Sequence, residues 1–166
     1  MRGALTLTTV LAVVAAPACS SPADAPPAAS EAIIGARGPA TQIAADDGWR
    51  LVAQDSVAGP CLQLFANDDS GYGCGFGVPE LHSIGYFPTL LGQQRFLAGP
   101  VTSDVDRVRV ELRDGSRIHT DVMATEEGLH VYVVRVPAGE LQRLVALSSD
   151  RQEIERLETP SDPWGS

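Results

Sequence analysis

Three thiols (Cys19, Cys61 and Cys74) and three imidazoles (His82, His119 and His130) are the side chains of this chain best equipped for chemistry. A thiol can be acylated, oxidised to a disulfide or bound to a metal, and spacing decides among these. Zinc sites use close pairs such as C-x-x-C, or two His four apart on a helix. Neither pattern occurs here, so the sequence calls for no metal and no cofactor. No Ser stands in a G-x-S-x-G elbow. The chain has no Lys, and with it no P-loop. Asn67-Asp68-Asp69-Ser70-Gly71 invites a calcium reading. The EF-hand template fails there, because Gly comes one position early and Val78 stands where the bidentate acid belongs. No catalytic residue is assigned.

Residues 71–87 form the most unusual stretch. Tyr72, Phe76, His82, Tyr86 and Phe87 are spread through it among repeated Gly. One reading is an adaptable binding surface made of these five side chains. The other is a plug that packs into the core. An exported enzyme with its site on this loop is a further alternative. It gains if His82 meets another His or a carboxylate in a pocket, and loses if His82 projects alone into solvent.

The N-terminus says where the protein resides. Met1-Arg2 is a short basic start, residues 4–16 are an uncharged apolar run, and Ala16-Pro17-Ala18 is a small-residue cleavage site. This is the layout of a secretory signal over residues 1–18. The run is shorter than the ~20 residues of a transmembrane helix. Cys19, followed by Ser20-Ser21, resembles the lipobox of bacterial lipoproteins. That resemblance implies a diacylglycerol on Cys19, which becomes the first residue of the mature chain on the outer face of the plasma membrane. Ala16-Pro17-Ala18 also fits the ordinary A-x-A rule, which leaves plain secretion open. With Cys19 lipidated, Cys61 and Cys74 remain as one pair, and an oxidising compartment favours their disulfide. Two reduced, buried thiols are the alternative.

The formal net charge is −9, and all twelve basic residues are Arg. An acidic chain gains nothing from counterion release on nucleic acid, and no polybasic run awaits anionic lipids. The implied partners are the membrane, through the N-terminal lipid, and an envelope protein or glycan. Residues 19–40 are rich in Ser, Pro, Ala and Gly and read as a disordered, lipid-anchored tether. Ile33-Ile34 is its one apolar spot. Residues 41–158 read as one β-rich domain, an ordinary size for a single core. Residues 159–166 read as a loose tail.

Within the domain, residues 49–54 and 61–65 read as strands, and residues 67–77 as a Gly/Asn/Asp loop. Residues 95–98 make a short strand. The clearest element is a hairpin over residues 105–124. Val108 and Val110 alternate with Arg107, Arg109 and Glu111, Asp114-Gly115 marks the turn, and Ile118, Thr120 and Val122 return. A two-residue loop would set Val110 against His119. An odd loop over residues 113–115 instead pairs Val110 with Ile118, and it sets Glu111 against Arg117 and Arg107 against Asp121 on the outer face. Residues 129–136 and 144–148 follow as strands. Residues 152–157 suit a hairpin partner better than a helix, with the turn at Ser149-Asp150-Arg151.

These pieces resemble a small exported domain recurrent in actinobacterial lipoproteins and surface proteins. The resemblance lies in Trp49-Arg50-Leu51, Cys61-Leu62-Gln63-Leu64, Gly73-Cys74-Gly75, Gly99-Pro100-Val101 and the hairpin through Asp114-Gly115. It implies an all-β, sandwich-like antiparallel fold of uncharacterised function. The expected role is therefore a surface module with a non-enzymatic binding or structural function at the cell envelope.

Overall fold

A computed structural model describes residues 36–46, 48–78, 80–160 and 163–164. The signal segment, Cys19 and Ile33-Ile34 lie outside the described residues. The described residues hold strands and no helix. In chain order these are β1 (Ala36–Asp46), β2 (Trp49–Ser56), β3 (Gly59–Ala66), β4 (Asp69–Cys74), β5 (Phe87–Leu91) and β6 (Gln94–Val101). They continue with β7 (Arg107–Leu112), β8 (Arg117–Asp121), β9 (Met123–Ala124), β10 (His130–Val136), β11 (Leu141–Leu147) and β12 (Glu153–Glu158). The expected all-β class holds. Three antiparallel sheets form, with strand orders β1-β2-β3-β4, β5-β6-β10-β9 and β12-β11-β7-β8.

The second sheet lies between two apolar cores, one on each face. Val131 and Val133 of β10 pack with Phe96 and Ala98 of β6 against Leu51, Leu62 and Leu64 of the first sheet. The intervening Tyr132, Val134 and Val136 pack against Val108, Val110 and Leu144 of the third. A strand covered on both faces needs apolar side chains at successive positions, and β10 has such a run. Tyr132 is fully buried, and its hydroxyl donates to the Gly85 carbonyl at 3.1 Å, so its polar end is satisfied.

Residues 69–74, expected as loop, form β4 instead. Asn67-Asp68 alone makes the turn, with Asn67 at φ 54°. Gly71 and Gly73 are in the strand because of a close approach. A Cβ on Gly71 would meet Thr89 Oγ1 at 1.9 Å, and one on Gly73 would meet Phe87 Cβ at 2.7 Å. The glycines bring the edge of the first sheet onto β5, and local sequence carries no sign of this. β1 starts at Ala36, within the stretch expected as tether. It is an edge strand, and Pro39 falls where the register shifts between Arg37 and Thr41, a place that tolerates a missing donor. The expected short strand at residues 95–98 extends to all of β6.

The hairpin has the derived register. Val110 pairs with Ile118, Val108 with Thr120, Glu111 with Arg117 and Arg107 with Asp121. Leu112 N–H donates to the Ser116 carbonyl at 3.0 Å, which leaves residues 113–115 as the loop, with Gly115 at φ 87°. β12 completes the last hairpin and is a strand. Two described residues of the stretch expected as a tail, Thr159 and Trp164, bond to the domain. Thr159 N–H reaches the Gln142 carbonyl at 3.2 Å. Trp164 Nε1 donates to the Phe96 carbonyl at 3.2 Å, and the Arg95 guanidinium stands 5.3 Å from its ring centre.

Candidate functional site

The segment between β4 and β5 is folded by backbone bonds. Gly77, at φ 68°, offers its carbonyl to the N–H groups of Leu81 and His82 at 2.8 and 3.2 Å. Gly85 N–H then donates to the Pro100 carbonyl, and Thr102 N–H to the Ser83 carbonyl, both at 2.9 Å. Ile84 between them is fully buried and anchors the segment in the core. His82 is thereby held at the surface, beside the edge strand β12.

Glu155 of β12 meets it there. Its Oε1 lies 2.9 Å from His82 Nδ1, and its Oε2 accepts the Ser83 backbone N–H. One carboxylate thus fixes both the imidazole and the chain next to it. His82 itself lines a shallow cleft of about 340 Å³, together with Phe76, Tyr86, Phe87, Cys74 and Leu157 among others. Phe76 stacks at a tilt on Phe87, with ring centres 6.1 Å apart. Burial raises the Tyr86 hydroxyl above its ordinary pKa, so it stays protonated and able to donate.

Four of the five expected surface residues therefore come together, but in different roles. Phe87 is core, 6 % exposed. Phe76 and Tyr86 are half-buried walls that also pack on the two cores. His82 is exposed at the mouth. Tyr72 does not join them. It is 50 % exposed on β4, on the face opposite Gly71 and Gly73. Residues 71–87 thus place Phe87 in the core and leave Tyr72 and His82 exposed. Sequence reasoning missed Glu155. It lies 73 residues from His82 in an acidic, otherwise ordinary strand, and only the docking of β12 brings it near.

A His fixed by a carboxylate in a cleft is the arrangement that favours the enzyme alternative. The thiol in the lining, Cys74, is bonded to Cys61 and cannot act as nucleophile. The two are direct cross-strand partners on β3 and β4, with Cα atoms 4.2 Å apart. His119 and His130 lie elsewhere: His119 faces Arg109 on the outer side of the third sheet, and His130 pairs with Val101 and Ala124. No group of three or more His, Cys, Asp or Glu is placed to hold a metal among the described residues. No protein-family model matches the chain, and no curated protein or solved structure matches it either.

Proposed function

We propose that this chain is a lipid-anchored module on the outer face of the plasma membrane, with a binding or structural role at the cell envelope. The observation that carries the binding role is the cleft at His82. Two half-buried rings, Phe76 and Tyr86, flank an imidazole oriented by Glu155. Rings offer stacking faces, and the polar tips of Tyr86 and His82 add hydrogen bonds, a combination suited to a glycan or a protein side chain. The Cys61–Cys74 bond supports an oxidising compartment and leaves Cys19 as the odd thiol, available for lipid. The resemblance to exported actinobacterial lipoprotein domains points the same way.

The test has two arms. Full-length protein fractionates with membranes, and Cys19→Ala releases it, because stable anchoring needs more than one acyl chain and the lipidated Cys supplies them. The full chain also retains an envelope protein or glycan, and His82→Ala loses it. Unchanged membrane fractionation of Cys19→Ala overturns the anchor, and retention by His82→Ala equal to the parent overturns the cleft. The second reading, an exported enzyme, rests on the His82–Glu155 pair. Turnover of an envelope substrate that His82→Ala abolishes would favour it over binding alone.

A further inference from the structure

The outer face of the third sheet gathers cations that the sequence scatters. β7 sets Arg107 and Arg109 on this face two residues apart, and β8 sets His119 directly opposite Arg109. β11 brings Leu147 opposite Arg107. Arg151 follows in the turn between β11 and β12. These five side chains line a depression of about 370 Å³.

Carboxylates balance part of this charge. Asp121 Oδ1 lies 2.7 Å from Arg107 Nη2, Glu111 Oε1 lies 2.7 Å from Arg109 Nε, and Glu153 Oε2 lies 3.8 Å from Arg109 Nη2. Glu111 is itself shared with Arg117 and Arg143. Among the described residues, Arg151 takes part in no ion pair. Each guanidinium has five N–H donors, so donors remain on all three. The charge also reaches the imidazole. After partial desolvation, Arg109, Arg107, Arg117 and Arg151 hold His119 below its ordinary pKa. In a chain of formal charge −9, this is a cationic spot that the acids nearby leave incompletely neutralised.

The backbone supplies an independent observation. Arg151 sits at φ 66°, in the left-handed region. The other non-glycine residue there among those described is Asn67, a type that tolerates it. The turn locks Arg151 in place: its N–H donates to the Ser148 carbonyl at 2.9 Å, and Ser148 N–H donates to the Gln152 carbonyl at 3.0 Å. Gly would adopt this conformation without strain. A long cationic side chain is held there instead, and it lines the depression. Strain of this kind points to a role for the side chain.

We infer that this depression binds a phosphate-type oxyanion through Arg107, Arg109 and Arg151, with His119 at its wall. The guanidinium fork matches a tetrahedral oxyanion in charge and geometry. Inorganic phosphate and the headgroup of an anionic phospholipid present the same chemistry. The site is separate from the cleft at His82 and does not depend on it.

Arg151→Gly tests this without endangering the fold, because it removes the guanidinium and the left-handed strain together. Calorimetric titration of the full chain in detergent, with inorganic phosphate at constant ionic strength, reads the free anion. Co-sedimentation of full-length Cys19→Ser with vesicles of phosphatidylcholine, alone or mixed with phosphatidylglycerol, reads the headgroup. The expected result is binding in at least one arm, weakened about tenfold by Arg151→Gly through loss of a charge-assisted contact, with the melting temperature unchanged or raised. Phosphate binding identifies a free anion, and phosphatidylglycerol-dependent sedimentation alone identifies the headgroup. Binding in neither arm, or equal binding by Arg151→Gly, overturns the site.

Discussion

Glu155 closes on His82 at 2.9 Å across 73 residues, and the same carboxylate holds the Ser83 N–H. The contact fastens the segment before β5 to the far edge of the third sheet. The two side chains are 44 % and 22 % exposed, so the pair is screened by solvent and contributes at most about 1 kcal/mol. His82→Ala should therefore move the thermal unfolding midpoint little while abolishing capture of an envelope partner. A large fall in the midpoint would make His82 a structural clamp instead.

Cys61 and Cys74 face each other across β3 and β4, 13 residues apart in sequence. Closing a loop of this size restricts the unfolded chain by about 3 kcal/mol in the chain-entropy account. The double variant Cys61→Ala, Cys74→Ala removes the bond without exposing a lone thiol. Its urea midpoint should fall by the corresponding amount. An unchanged midpoint would mean that the bond does not form in solution.

Gly115 has φ 87°, and a Cβ there would meet no atom within 4 Å. Space is available, and conformation alone demands Gly. Gly115→Val should destabilise by about 1–2 kcal/mol through left-handed strain, read from chemical denaturation. No measurable loss would remove the strain argument.

The hairpin was legible because several local signals agreed. Period-two alternation, the Asp114-Gly115 turn and the outward pairs Glu111–Arg117 and Arg107–Asp121 all selected one register. β4 was not legible, because Gly71 and Gly73 look like turn residues until Thr89 and Phe87 press on them from another sheet. β1 was hidden by its small-residue, Gly- and Pro-containing edge sequence, which has Ile43 as its one large apolar side chain and is held by pairing with β2. At the site, the aromatic cluster was visible and its partner was not. His82 stood out by type, whereas Glu155 is one of many acids and gains its role from tertiary docking alone. The cationic depression was equally hidden, since Arg107, Arg109 and Arg151 converge only across strands and a turn.

At Gly99 of β6 two stretches of backbone pass close together. A Cβ there would lie 2.1 Å from the Gly85 carbonyl oxygen and 2.9 Å from Tyr86 Cα. These are backbone atoms, so no side-chain rotation relieves the clash. The same Gly85 carbonyl accepts the buried Tyr132 hydroxyl at 3.1 Å. Gly99→Ala should destabilise by about 3 kcal/mol, at the upper end of overpacking. It should also disturb the His82 cleft, whose wall includes Gly85 and Tyr86. Wild-type stability in Gly99→Ala would show that residues 85–86 do not pass this close.

Glu111 lies opposite Arg117 on the outer face of the hairpin, as the register predicts, and it is only 4 % exposed there. Arg143 Nε donates to its Oε2 at 2.5 Å, Arg109 Nε lies 2.7 Å from Oε1, and Arg117 Nε lies 3.5 Å from Oε1. Burial pushes the carboxyl pKa up, but the Arg143 hydrogen bond and the charges of Arg109, Arg143 and Arg117 outweigh it, so the net shift is downward. A lowered folded-state pKa means that the unfolded chain takes up the proton first as pH falls. The contribution of Glu111 is therefore complete above the unfolded value of about 4.3, and it is lost as pH falls from there through the lower folded value. Glu111→Gln keeps the shape but leaves three guanidiniums around a neutral amide. At neutral pH it should destabilise by about 3 kcal/mol, the loss typical of a broken buried ion pair. The gap to wild type should narrow as pH drops below the unfolded value of about 4.3, where the unfolded wild-type chain begins to take up the proton. Urea unfolding of both proteins from pH 7 downward measures it. A gap that stays constant over that range would show that shape, not charge, is what Glu111 contributes.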